Sequence, residues 1–185
     1  MPAVAKTSDG AVVGAARKLV ARDGHEALSM QAVAAAVAVK APSLYKRFDG
    51  RDALLRAVQR EAFDDLRAAL DRVPTSGPAR ARLAALAVAY RAFARKNPRL
   101  YAAMFADVDD LGENDLATRR AAALPLLTAL GAVAPEAARL EVARTRTAFL
   151  HGFVSMELSR SFRLGGDPQP AFARGFDALV AGLGL

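Results

Sequence analysis

Between Leu28 and Leu55 the chain reads LSMQAVAAAVAVKAPSLYKRFDGRDALL. Its breakers stand too close together for anything but two short helices and two tight turns before a longer helix begins. Ser29 is a good N-cap for a helix from Met30 to Val37. A turn follows at Ala38 and Val39, and Pro42 sits well in the first turn of a third helix ending near Phe48. Asp49 and Gly50 then break the chain again. Two short helices joined in this way, with a basic aromatic tip at Tyr45, Lys46, Arg47 and Phe48, form a helix-turn-helix that can enter a DNA major groove.

The rest of the chain carries apolar residues at helical spacing, with few runs of strand type. Thr7, Ser8 or Asp9 can cap a first helix with the stripe Val12, Ala16, Leu19 and Val20, and Gly24 stops it. A long fourth helix runs from about Arg51 to Val73, and the stretch Val73 to Pro78 is the clearest linker. Further helices are expected from Pro78 to Lys96, from Pro98 through Phe105, from about Asp115 to Leu130 with Pro125 kinking or splitting it, from Pro135 to about Arg163, and from Ala171 to Leu183. The expected fold is all-α with about nine helices. Residues 1–50 form a DNA-binding domain, 51–73 a connecting helix, and 78–185 a larger helical domain.

Charge is unevenly placed. Residues 1–60 hold ten Lys and Arg against five Asp and Glu, and the remainder holds 16 against 14. A basic N-terminal third fits a polyanionic partner, although a merely solvated basic surface has the same composition. The chain has no cysteine and two histidines, so neither a thiolate nor a polyhistidine metal site is expected. No apolar run is long enough to span a membrane, and the N-terminus lacks a hydrophobic signal core. The expected location is the cytoplasm, with no membrane partner and no cofactor.

The third helix exposes Lys40, Ala41, Ser43, Tyr45, Lys46 and Arg47, whose hydroxyl and cationic groups suit phosphates and base edges. Leu44 and Phe48 belong to the core beneath it. Tyr45 has the alternative of packing there too, and Lys40, Lys46 and Arg47 that of simple solvation.

From Asp9 to Arg60 the chain resembles the tetracycline-repressor (TetR) family of transcriptional regulators. The resemblance rests on the pattern ARKLVARDG, then LSMQAVAAAV, then VKAPSLYKRF, then GRDALL. It implies phosphate contacts for Tyr45, Lys46, Arg47 and Arg51, and base-facing positions for Gln31, Lys40, Ala41 and Ser43. Ala38 departs from the pattern, standing where the family usually has a turn glycine. A left-handed conformation there costs a non-glycine residue about 1 kcal/mol.

The resemblance also implies a C-terminal domain that binds a small molecule and dimerises through its last two long helices. Phe172, Phe176, Leu179 and Leu183 lie on one stripe of the ninth helix, and Leu150, Val154 and Leu158 on one stripe of the eighth. Both stripes suit either a four-helix dimer interface or the chain's own core. The stretches Tyr90 to Phe105 and His151 to Leu158 resemble a C-terminal subtype labelled WHG. Candidates for an apolar effector pocket are Tyr90, Phe93, Tyr101, Met104, Phe105, Phe149, His151, Phe153 and Met156.

The function expected on these grounds is a homodimeric, ligand-responsive repressor of a double-stranded DNA operator, released by a small-molecule effector. The alternative is an architectural or activating DNA binder without an effector. An enzyme is not expected: the sequence has no nucleophile motif, metal cluster or phosphate-cradling loop.

Overall fold

The computed structural model describes residues 7–109, 111–131 and 139–182. Among them are nine α-helices and no strand: α1 (Asp9–Asp23), α2 (Met30–Ala36), α3 (Ala41–Tyr45), α4 (Gly50–Asp71), α5 (Ala79–Lys96), α6 (Pro98–Met104), α7 (Glu113–Gly131), α8 (Arg139–Leu158) and α9 (Pro168–Ala181). A short 3-10 turn, His25–Ala27, which the sequence did not suggest, separates α1 from α2.

Local chemistry accounts for most of these ends. Ser8 Oγ accepts from the Ala11 amide at 3.2 Å to open α1, and Gly24 closes it at φ 93° with its amide on the Val20 carbonyl. The expected helix to Arg163 instead stops at Leu158. There Arg160 takes φ 55°. Its amide donates to Glu157 O at 3.0 Å and that of Ser161 to Met156 O at 2.8 Å. This is a Schellman cap without its usual glycine, hence its invisibility in the sequence. Pro125 does not split α7, which continues through it. The expected start of α8 at Pro135 lies outside the described residues.

Packing groups the chain into two compact units: residues up to Phe63 with Asn97–Arg119, and Asp64–Lys96 with Arg120 onward. In the first of these units α6 joins the N-terminal helices. Leu100 and Ala103 of α6 share one core with Val12, Ala16, Val20, Leu28, Val33, Leu44, Leu54 and Val58. Each fully buried Val or Leu there contributes about 1.5–3 kcal/mol.

In the second unit, α5 buries Leu83, Leu86, Tyr90 and Phe93, and α9 buries Phe172, Phe176 and Val180. Gly175 lets α9 pass close to α8, since a Cβ there would stand 2.9 Å from two Phe149 ring atoms. At one end of the α8–α9 pair, Arg91 is itself buried. It donates to both Glu157 oxygens at 2.7 and 2.6 Å and bonds Gln169. Its guanidinium also lies over the Phe172 and Phe153 rings, 4.7 and 5.6 Å from their centroids.

The stripes expected at a dimer interface belong mostly to this internal core. Leu150, Val154, Phe172 and Phe176 are 3, 0, 2 and 2 % exposed in the single chain. They have no area left to offer a second copy. Leu158 and Leu179 are half-buried, and Leu183 lies outside the described residues.

Candidate nucleic-acid interface

The helix-turn-helix is set by three local devices. Ser29 Oγ accepts from the Ala32 amide at 3.1 Å and starts α2. The helix ends in a second Schellman cap, with Val39 N donating to Ala34 O at 3.0 Å and Ala38 N to Ala35 O at 3.2 Å. Ala38 sits at its left-handed position with φ 55°, as the missing turn glycine led one to expect. Lys40, in extended conformation, precedes α3, with a proline in the first turn. The helix is shorter than expected, ending at Tyr45. The Leu44 carbonyl then accepts from both Arg47 N and Phe48 N at 2.9 Å, tightening the last turn.

Beneath α3, Leu44 is fully buried while Tyr45, its neighbour, is 56 % exposed. Gln31, Lys40, Ser43 and Lys46 are exposed as well. Tyr45 is thus not a core residue. Ala41 is half-buried and packs on the core of the unit.

Arg47 and Arg51 each bond to other parts of the chain. Arg47 pairs with Asp9 and donates from Nη1 to the Thr7 carbonyl at 2.6 Å, tying the end of α3 to the start of α1. Arg51 donates to the His25 carbonyl at 2.8 Å and to that of Leu28 at 3.1 Å, and pairs with Asp52 at 3.0 Å. Its guanidinium clamps the start of α4 to the turn before α2. Sequence spacing places a residue on a helix face but does not reveal a carbonyl acceptor 23 or 26 residues away.

The comparisons with known proteins agree with this geometry. Residues 12–58 match the family described as bacterial regulatory proteins, tetR family, and residues 83–179 match the tetracyclin repressor-like C-terminal domain. The chain is 33 % identical to the HTH-type transcriptional regulator Rv0681 of Mycobacterium tuberculosis over 84 % of its own length and 72 % of that protein's. The chain belongs to the tetR family. As in that family, it is a DNA-binding transcriptional regulator and not an enzyme.

Solved structures carry the same fold as this tetR-family chain. A protein from Rhodococcus sp. RHA1 is 25 % identical, with a TM-score of 0.78 over 99 % of both chains. A TetR variant of Acinetobacter baumannii AYE, solved in complex with minocycline, is 22 % identical, with a TM-score of 0.70 over 96 % of both.

The nine effector-pocket candidates fall in different places. Tyr101, Met104 and Phe105 belong to the first unit, where Phe105 stands edge-on to Phe63 at 5.9 Å. Tyr90, Phe93, Phe149, His151, Phe153 and Met156 belong to the second. Phe149 and Phe153 pack against Phe172 at 6.0 and 5.1 Å between centroids. Phe105 and Met156 are surface residues, 40 and 47 % exposed. Burial lowers the pKa of His151 and so favours its neutral ring.

The first unit also ties α4 to α6. Gln59, 2 % exposed, donates from Nε2 to the carbonyls of Ala103 at 2.9 Å and Ala106 at 3.0 Å, and its Oε1 accepts from Arg119 at 3.0 Å. Nearby, Arg60 donates to the buried Asp115 carboxylate at 2.5 Å. No helix among the described residues is long and apolar enough to cross a membrane.

Proposed function

We propose that this regulator is a homodimeric repressor that binds a palindromic operator in the cytoplasm and is released by a small molecule. The observation that carries the reading is the α3 tip. Tyr45, Lys46, Ser43 and Lys40 face outward from a helix whose other side is locked by fully buried Leu44. Tyr45 and Lys46 take phosphates. Gln31, Lys40 and Ser43 face bases, and Ala41 keeps the helix thin enough to approach them. Arg47 and Arg51 serve as positioning residues that fix the angle of the reading helix. In this reading residues 1–50 recognise DNA, 51–73 connect, and 78–185 sense and pair.

Pairing uses the outward side of α8 and α9 rather than the buried stripes. Ala148, Gly152 and Ser155 line α8 there at spacings of four and three, and Ala171 and Ala178 stand exposed on α9. A Cβ at Gly152 would meet nothing within 4 Å, so the chain's own packing does not require glycine there. A two-fold dimer imposes a palindromic site. Gln59 makes α6 and the reading head one body, so an effector that displaces α6 also displaces the head. The minocycline complex of the Acinetobacter protein supports a small-molecule role for the fold, and the HisGlyPhe stretch supports the WHG subtype.

Selection of bound sites from random duplex DNA tests the reading. Enrichment of a palindrome is expected. Tyr45→Ala should then weaken every sequence about equally, and Lys40→Ala should change the sequence preferred. Recovery of no motif, with binding that collapses as salt rises, would reduce the interaction to phosphate attraction.

A further inference from the structure

Arg47 stands just past the end of the reading helix, next in sequence to exposed Lys46. All three of its guanidinium nitrogens are engaged. Nε donates to Asp9 Oδ1 at 2.5 Å, Nη2 pairs with the same oxygen, and Nη1 donates to the Thr7 carbonyl at 2.6 Å. The Arg47 side chain is 25 % exposed and that of Asp9 71 %. Asp9 lies in the first turn of α1, where the helix dipole favours a carboxylate. A lone exposed ion pair is worth little. Here the backbone carbonyl of Thr7 fastens the other edge of the guanidinium, so the fork is held on both sides and its charge is answered in place.

We propose that Asp9 is a specificity-determining residue of the reading head: it holds Arg47 off the DNA phosphates and so limits sequence-independent binding. Phosphate attraction supplies essentially all of non-specific affinity, and each neutralised phosphate adds to it. An arginine fork suits a phosphate as well as a carboxylate. A free Arg47 beside Lys46 would therefore add one phosphate contact on every sequence. Asp9 opposes this twice. It occupies the guanidinium, and an Arg47 that turned to a phosphate would leave the Asp9 carboxylate unpaired beside a polyanion. Phosphate contacts carry no sequence information. Withholding one leaves base readout by Gln31, Lys40 and Ser43 unchanged and widens the gap between operator and random DNA. The inference rests on the α3 tip facing the duplex, as in the reading above.

Affinity of the full chain for a random-sequence duplex and for a selected operator, each measured across a range of salt concentrations, tests it. Asp9→Asn should bind the random duplex several-fold more tightly at low salt. Its slope of log affinity against log salt should steepen by about 0.9, the value of one phosphate on B-DNA, and its operator-to-random ratio should fall. Arg47→Met should keep the wild-type slope, whatever it does to the angle of α3, and the double variant should return to that slope. Glu26→Gln makes the same charge change on an exposed side chain whose ion pair is with His25, and it should leave the slope unchanged. A wild-type slope in Asp9→Asn, an equal rise in Glu26→Gln, or a slope lower by about 0.9 in Arg47→Met would overturn the proposal. Arg47→Met decides the matter alone if Asp9→Asn does not fold. Lys46→Met separates this inference from the reading beneath it. An unchanged slope there overturns the reading of the tip and the inference with it. A slope lowered by about 0.9 there, with no response to Asp9→Asn, overturns the inference alone.

Discussion

Arg91 and Arg146 are both buried in the second unit, at 4 and 1 % exposure, and their surroundings differ in every respect. Arg91 has a carboxylate on two of its nitrogens, the Gln169 side chain on a third and two aromatic faces against its plane. Arg146 has none of these among the described residues. One end of the α8–α9 pair is electrically closed and the other is open. A charge closed by the fold's own residues acts as structure. A charge left open is a departure from the rule that buried polar groups be satisfied, and such departures concentrate where a site serves something other than stability.

The largest effect is expected at the closed end. Arg91→Met leaves the Glu157 carboxylate, 14 % exposed, with Arg95 at 4.0 Å as its one remaining ion pair among the described residues. Removing one partner of a buried pair costs about 3–5 kcal/mol, readable as a large fall in the denaturation midpoint. A loss below about 1 kcal/mol, typical of a surface pair, would erase the difference between the two ends. At the open end the sign reverses. Arg146→Met removes a desolvated charge that has no hydrogen-bond partner among the described residues, and a gain of about 1–3 kcal/mol is expected. A loss there would mean that Arg146 is as closed as Arg91.

Acid should separate the ends further. The hydrogen bond from Arg91 is the main reason that the Glu157 carboxyl lies below its ordinary pKa of 4.5. Its contribution is therefore complete above that value and is lost as pH falls below it, toward the lowered folded pKa. Burial likewise lowers the His151 pKa from 6.5, so the stability linked to its neutral ring is also lost on acidification, beginning below 6.5. Melting temperature against pH should decline in two stages. Arg91→Met should remove the lower stage and keep the upper. Persistence of both stages would detach Glu157 from the closed end.

The reading head was more legible in the sequence than this α8–α9 pair, for a physical reason. Ser29, Gly24, Pro42 and Ala38 act through backbone groups a few residues away, and their chemistry is written locally. The role of Arg51 depends on carbonyls brought near by folding. On α9, the stripes Phe172, Phe176, Leu179 and Phe172, Phe176, Val180 fit helical spacing equally well, and only packing selects the second. Arg146 lies three residues after Ala143 and four before Leu150, squarely on the buried face. Its charge argues against a buried place, because an unpaired buried guanidinium is what sequence reasoning is right to disfavour.

The smallest expected effects compare the two left-handed caps, Ala38 in the reading turn and Arg160 just beyond Glu157, both at φ 55°. Strain at such a position amounts to about 1–2 kcal/mol for a residue with a Cβ. Glycine removes it but adds about 0.4–1 kcal/mol of unfolded-state entropy. Ala38→Gly and Arg160→Gly should therefore each stabilise by roughly 0.5–1 kcal/mol in chemical denaturation. Equal gains would mean that backbone strain alone sets both values. A smaller gain at Arg160 would mean that its side chain contributes to the closed end beyond the hydrogen bond from its amide to the Glu157 carbonyl, and the electrical account of that end would then have to include a third arginine beside Arg91 and Arg95.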